Sequence, residues 1–387
     1  MDELFSQPLK AKAQSSRSGL RPTLADFGLG TVAVGLVALS LFPAWLDRID
    51  RNPSGPDKTT EAAASLDPLS TGGISSVRGT AKHIDIDAAL AERARRKSEV
   101  LPYQPASIEV RDLGDMRQAI QTAHVPDYDL IEDSEYGPLP TRAADGRRPF
   151  DVYRAAGPSR MGPKIAIIVG GLGISQSGTQ SAIENLPSEV TLAFAANGNS
   201  LARWMQEARR NGHELLLQTP MEPVGYPMND PGENTVTTDQ MTAEDFSSLY
   251  ASLGRMTNYI GVMNYLGGQL TADARALHPF MSEMSKRGLM FLDDGSSARS
   301  VAADLAEMTS TPAGAADLVL DDVQYAGEIS RRLDQLEQIA RTRGSAIGVA
   351  SAFETTTSVI GSWMREAERR GITVAPVSSI VLDPERR

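Results

Sequence analysis

The chain contains no cysteine among its 387 residues. A disulfide framework, a thiolate metal site and a cysteine nucleophile are therefore excluded. Histidine is nearly as scarce: there are four, and only His213 and His278 fall in the half that reads as folded. A His-based metal site or a Ser-His-Asp triad thus lacks parts. Excess positive charge is missing as well. With 38 Lys and Arg against 49 Asp and Glu, the formal net charge is −11, and no clustered basic surface is on offer for a phosphate backbone. Pairs such as Arg209-Arg210 and Arg331-Arg332 read as solvated helix faces. Nucleic acid is excluded as a partner. Gly170-Gly171-Leu172-Gly173 carries neither the dinucleotide spacing nor a Gly-Lys-Ser, and reads as a tight strand-to-helix turn. His213-Glu214 opens like a zinc-protease helix, but Leu217 stands where the second His should be.

Long apolar runs are also rare, with one exception. Phe27 to Leu46 is uncharged over about 20 residues, the length a helix needs to cross a bilayer. Lys10, Lys12, Arg17 and Arg21 precede it, which places the N-terminus inside and the remainder outside. The stretch lacks an Ala-x-Ala after Leu46, so an uncleaved anchor is expected rather than a signal peptide. The resulting expectation is a cytoplasmic basic tail at 1–26, a transmembrane anchor at 27–46 and a flexible linker at 47–160. The linker is rich in Pro, Gly, Ser and charge, with one helical island at Ile84 to Val100 and an acidic, Pro-marked stretch suited to an extended arm. The folded domain is expected at 161–387, in the periplasm and tethered to the inner membrane by a single pass through residues 27–46.

From Lys164 onward the texture changes. IAIIV, VTLAFA, HELLLQ, YIGVMN, LMFLDD, ADLVLDD, SAIGVAS and ITVAPVSSI read as strands, with helix-like segments between them. Continuous apolar runs suit strands covered on both faces, and Gly212, Gly288, Gly344 and Gly371 follow helices as C-caps. The alternation predicts an α/β barrel or a doubly wound sheet. In either, function sits at the C-terminal ends of the strands. Those ends supply Gly170-Gly171, Asn197, Gln218 to Glu222, Asn264-Tyr265, Asp293-Asp294, Asp321-Asp322 and Ser351. Asp293-Asp294 is the strongest chemical signal, because paired carboxylates serve as base or anchor. Glu222 sits in a Pro-stiffened loop. Asp321-Asp322 reads as a solvated turn.

The stretches IAIIVGGLG, GHELLLQTPMEP, IGVMNYLGG, GLMFLDDGSS and GSAIGVAS, in this order, resemble the divergent polysaccharide deacetylase family of bacterial envelope proteins, over about Lys164 to Leu382. The resemblance implies a distorted (β/α) barrel and metal-assisted hydrolysis of acetyl groups on a polysaccharide. It also implies donors that this chain lacks. The two Asp of the first motif are Gly170 and Gly171, the His before Pro-Met-Glu-Pro is Gln218, and the His of the third motif is Tyr265. A hydrolytic zinc needs about three anionic or imidazole donors to activate water, and these four residues offer none. The expectation is a binder of cell-envelope glycan, or of an envelope protein, with no metal or other cofactor. Asn264, Tyr265, Gln218 and Ser351 are its candidate binding residues. The alternatives are an altered deacetylase or esterase using Asp293, Asp294 and Glu222, and a module that binds only protein.

Overall fold

The computed structural model describes residues 116–158 and 161–386. The expected tail, anchor and linker up to residue 115 lie outside the described residues. Among the described residues, no helix is long and apolar enough to cross a membrane.

The described chain opens with an arm. Strands β1 (Ile131–Ser134) and β2 (Gly137–Pro140) form a small antiparallel hairpin, followed by the single-turn helix α1 (Pro149–Val152). Then strand and helix alternate: β3 (Lys164–Leu172), α2 (Gln176–Asn185), β4 (Thr191–Ala195), α3 (Leu201–Arg210), β5 (Leu215–Met221), α4 (Thr238–Thr242), α5 (Ser247–Leu253), β6 (Gly261–Leu266), α6 (Ala274–Arg287), β7 (Met290–Asp293) and α7 (Ala302–Thr309). The order closes with β8 (Ala313–Ala315), β9 (Leu318–Val319), α8 (Ala326–Arg343), β10 (Ser345–Ser351), α9 (Glu354–Arg369) and β11 (Thr373–Val374). Strands β3 to β11 make one parallel sheet, ordered β8-β7-β6-β5-β4-β3-β10-β9, with β11 also paired to β3. The two edges of this path, β8 and β9, are joined by only Ala316 and Asp317, with no ladder between them. The fold is thus a parallel α/β half-barrel; of the two architectures expected, the barrel-like one is found.

The strand period of two explains the continuous apolar runs. Ile165, Ile167 and Val169 belong to the outer core under the helices, while Ala166 and Ile168 join the inner core with Ala193, Leu216, Met263, Leu292 and Val349. The same inner core includes Leu130, Phe150, Val152 and Tyr153. Residues 116–158 therefore pack as part of the domain, where the sequence predicts linker up to residue 160. Scattered aromatics, too sparse to give a periodic signal, insert into the barrel individually. Helix ends follow the expected chemistry: α6 begins at Asp273, which accepts from Arg275 N and Ala276 N, and ends at Gly288 with φ 68°. Between α4 and α5 the chain turns at Glu244, which has φ 55°.

Candidate functional site

The strand period also builds the site. Two residues beyond the inner-core residues Ile168, Ala193, Leu216, Met263 and Val349 stand Gly170, Ala195, Gln218, Tyr265 and Ser351. All five line one cleft of about 860 Å³ at the C-terminal ends of the strands. They form the next side-chain layer above the packed interior. Loops add Ile174, Ser175, Asn197, Pro231, Phe353 and Glu354 to its walls.

The floor is organised by an irregularity in β3. Its register against β4 shifts between Val169 and Leu172, and Gly171 adopts φ 75° there. A bulge with a left-handed residue favours glycine, which is a local reason for Gly-Gly. Gln218 Oε1 accepts the Gly171 N–H at 2.9 Å. A Cβ at Gly170 would lie 3.2 Å from both amide heteroatoms of Gln218 and 3.4 Å from Met263 Cε. The Gln218 amide thus occupies the space beside Gly170 that a larger side chain there would need.

The candidate residues divide by this geometry. Gln218, Tyr265 and Ser351 share the cleft, and Tyr265 is 46% exposed. Asn264, one place out of phase, is fully buried and acts as a brace. Its Nδ2 donates to Leu266 O at 2.6 Å, and its Oδ1 accepts from Asp294 N at 2.8 Å. Asp293 follows Phe291 of the outer core and lies in a separate cavity beside α7, its Oδ1 accepting from Gly295 N. Asp294 accepts from Ser296 N, and burial pushes its carboxyl above the ordinary range. Glu222 caps α4, accepting from Thr238 N at 2.6 Å and Thr238 Oγ1 at 2.8 Å. The three acids expected to act together are therefore each engaged by a different partner, Gly295, Ser296 and Thr238, and none lines the cleft. Asp321 is buried and not in a solvated turn: it accepts from Ser351 N at 2.8 Å and Thr356 Oγ1 at 3.0 Å, and burial raises its pKa. Phe353 and Glu354 are missed by strand-end counting because they follow the strand by two and three residues.

The sequence pattern of the divergent polysaccharide deacetylases matches residues 167–381. The chain belongs to this family. Among its relatives is the uncharacterized protein YibQ of Escherichia coli, 22% identical over 57% of this chain and 68% of YibQ. A protein of Haemophilus influenzae is 25% identical over 52% of this chain and 71% of its own length. The crystal structure of the uncharacterized protein ATU2773 from Agrobacterium tumefaciens is similar over 63% of this chain and 100% of that one, with 51% identity and a TM-score of 0.62.

A family-type catalytic metal does not fit the residues present. Gly170, Gly171, Gln218 and Tyr265 supply no carboxylate or imidazole, and the Gln218 amide crowds the space a side chain at Gly170 would take. Among the described residues, no three His, Asp or Glu converge on a common point. What the cleft does provide is a neutral amide floor, hydroxyls from Ser175 and Ser351, and exposed rings at Tyr265 and Phe353, with Glu354 its one carboxylate.

Proposed function

We propose that the domain binds an uncharged stretch of cell-envelope glycan in the cleft and does not hydrolyse it by the metal-dependent route of its family. The observation that carries this reading is the Gln218 amide, fixed on the Gly171 N–H and packed against Gly170. Its Nε2 is left to donate to a ligand, and Tyr265 and Phe353 offer faces for stacking. An apolar wall with a few fixed polar groups suits small-ligand recognition. The reading also includes the single-pass anchor at 27–46, which would hold the domain on the periplasmic side of the inner membrane.

The test pairs two assays on purified protein. Calorimetry with N-acetylglucosamine oligomers should give saturable binding, and acetate release from the same oligomers should stay at background with added zinc. Turnover abolished by Asp293→Ala would replace this reading with the altered hydrolase. No glycan affinity, together with co-purification of an envelope protein, would replace it with the protein-binding module.

A further inference from the structure

Opposite the cleft, at the N-terminal ends of the strands, a crevice of about 720 Å³ opens between the arm and the barrel. Arg117 and Arg154 line it from the arm, and Arg209 from the end of α3.

Arg209 is unusual within this molecule. Three arginines are buried among the described residues: Arg148, Arg209 and Arg287. Arg148 pairs with Asp151 at 2.7 Å and Asp383 at 2.6 Å, and Arg287 with Glu283 at 2.6 Å and Glu132 at 3.0 Å. Arg209 has no carboxylate within ion-pair distance among the described residues. Its Nη1 donates to Tyr153 O at 2.8 Å and His213 O at 3.0 Å, and its Nε to Ala123 O at 3.4 Å. Carbonyls satisfy hydrogen bonds but carry no net charge, so the charge of Arg209 is offset only by the attraction of Glu214, which makes no ion pair with it. Burial accordingly pulls its pKa down to about 10, whereas the carboxylates around Arg148 hold that group above its ordinary value. Across the crevice, Arg117 makes no side-chain hydrogen bond or ion pair among the described residues.

We propose that this crevice is an oxyanion site, taking a phosphate-class group between Arg117 and Arg209. Guanidinium forks match tetrahedral oxyanions, and two of them approaching from different walls suit phosphate better than a flat carboxylate. The acids nearby limit the size of the guest. Glu189 and Glu368 lie on the crevice wall, so an extended polyanion would meet repulsion there. Glu214 lies behind, its carboxylate taken up by Ala155 N, Ser378 and Thr191. A compact anion seated between the arginines avoids the wall acids. This site stands independently of the glycan reading.

The experiment is calorimetry of the full chain with inorganic phosphate at constant ionic strength, joined to pelleting with phosphatidylglycerol and phosphatidylcholine vesicles. Saturable phosphate binding is expected. Arg117→Ala, which breaks no hydrogen bond among the described residues, should weaken it about tenfold, the loss of one charge-assisted contact, without moving the melting temperature of the unliganded protein. Arg209→Lys would also strip the carbonyl contacts, so it serves only as a second check. Pelleting with phosphatidylglycerol alone, competed off by phosphate, would identify a lipid headgroup as the source. Phosphate binding without pelleting would identify a free anion. Absence of saturable binding, or binding indifferent to Arg117→Ala, would overturn the proposal. So would binding that emerges only in an Asp112→Ala, Asp115→Ala variant, since the chain's own carboxylates would then be the guest.

Discussion

At the C-terminal ends of the strands, Gly170, Gln218, Tyr265 and Ser351 surround an open cleft in which Glu354 is the one carboxylate. At the N-terminal ends, charge is plentiful, and outside the crevice of Arg117 and Arg209 most of it is locked in place. Glu214 is fully buried and accepts from Ala155 N at 3.0 Å, Ser378 N at 3.0 Å, Ser378 Oγ at 2.5 Å and Thr191 Oγ1 at 3.4 Å. Arg148 ties α1 to Asp383, and Arg386 reaches Asp151. One end thus invests buried polar groups in joining the arm, the barrel and the C-terminal segment. The other keeps its polar groups small and available. The contrast teaches that chemistry at a family's site can be replaced while the scaffold beneath it keeps its bracing, because the two depend on different residues.

Substitutions at four positions, one of them paired with Gln218→Ala, probe that contrast. Glu214→Ala should be the most damaging, costing about 3 kcal/mol, since it orphans several buried donors at once. Urea unfolding measures this, and a loss below about 1 kcal/mol would remove Glu214 as the clamp of that end. Its pH dependence has a definite sign. Burial pushes the Glu214 carboxyl above the ordinary range. The stability from its protonated form is full below the unfolded value of about 4.3 and is lost as pH rises through the folded value. The deficit of Glu214→Gln against wild type should therefore shrink as pH rises from about 4 toward neutrality; a deficit that widens would contradict it.

Asn264→Ala should cost about 2 kcal/mol, because it strands Leu266 O and Asp294 N together. A neutral outcome would show that the cleft rim is not braced from the outer face. Gly170→Asp should cost about 1–2 kcal/mol through crowding against Gln218 and Met263, and Gln218→Ala in the same chain should restore part of it. Unchanged stability in the single variant would mean that the amide yields easily. Tyr265→Ala should shift unfolding by less than about 0.5 kcal/mol yet weaken glycan binding about tenfold through lost stacking. Equal binding by that variant would move the ligand away from the cleft centre.

Much of this was readable in the residues. The order of strands and helices and the glycine caps emerge from pattern because each rests on local chemistry. The site was half readable. Strand ends pointed to Gln218, Tyr265 and Ser351, but the same rule selected Asn264 and Asp293, which lie on the outer face. Counting in twos from Met263 and Leu292 separates them, once it is known which face is the interior. That knowledge depends on which strands are neighbours, a long-range property. The arm was anticipated as an extended stretch but counted with the linker, for a related reason. Phe150 and Tyr153 gain their burial from a barrel formed by residues much later in the chain, so nothing in their own neighbourhood marks them.

The seam between β8 and β9 bears on how the chain reaches this state. The two edges of the sheet are near neighbours in sequence, so their approach needs only a short loop. The centre is the reverse: Lys164 at the start of β3 pairs with Ser345 at the start of β10. Such distant pairing must await synthesis of nearly the whole chain, and it slows folding because a long loop has to close first. Until β10 arrives, the apolar strand Ile165 to Val169 has one unpaired edge, a template for association with other chains. A nascent chain halted before Ser345 should accordingly depend on chaperones, and the finished one should not.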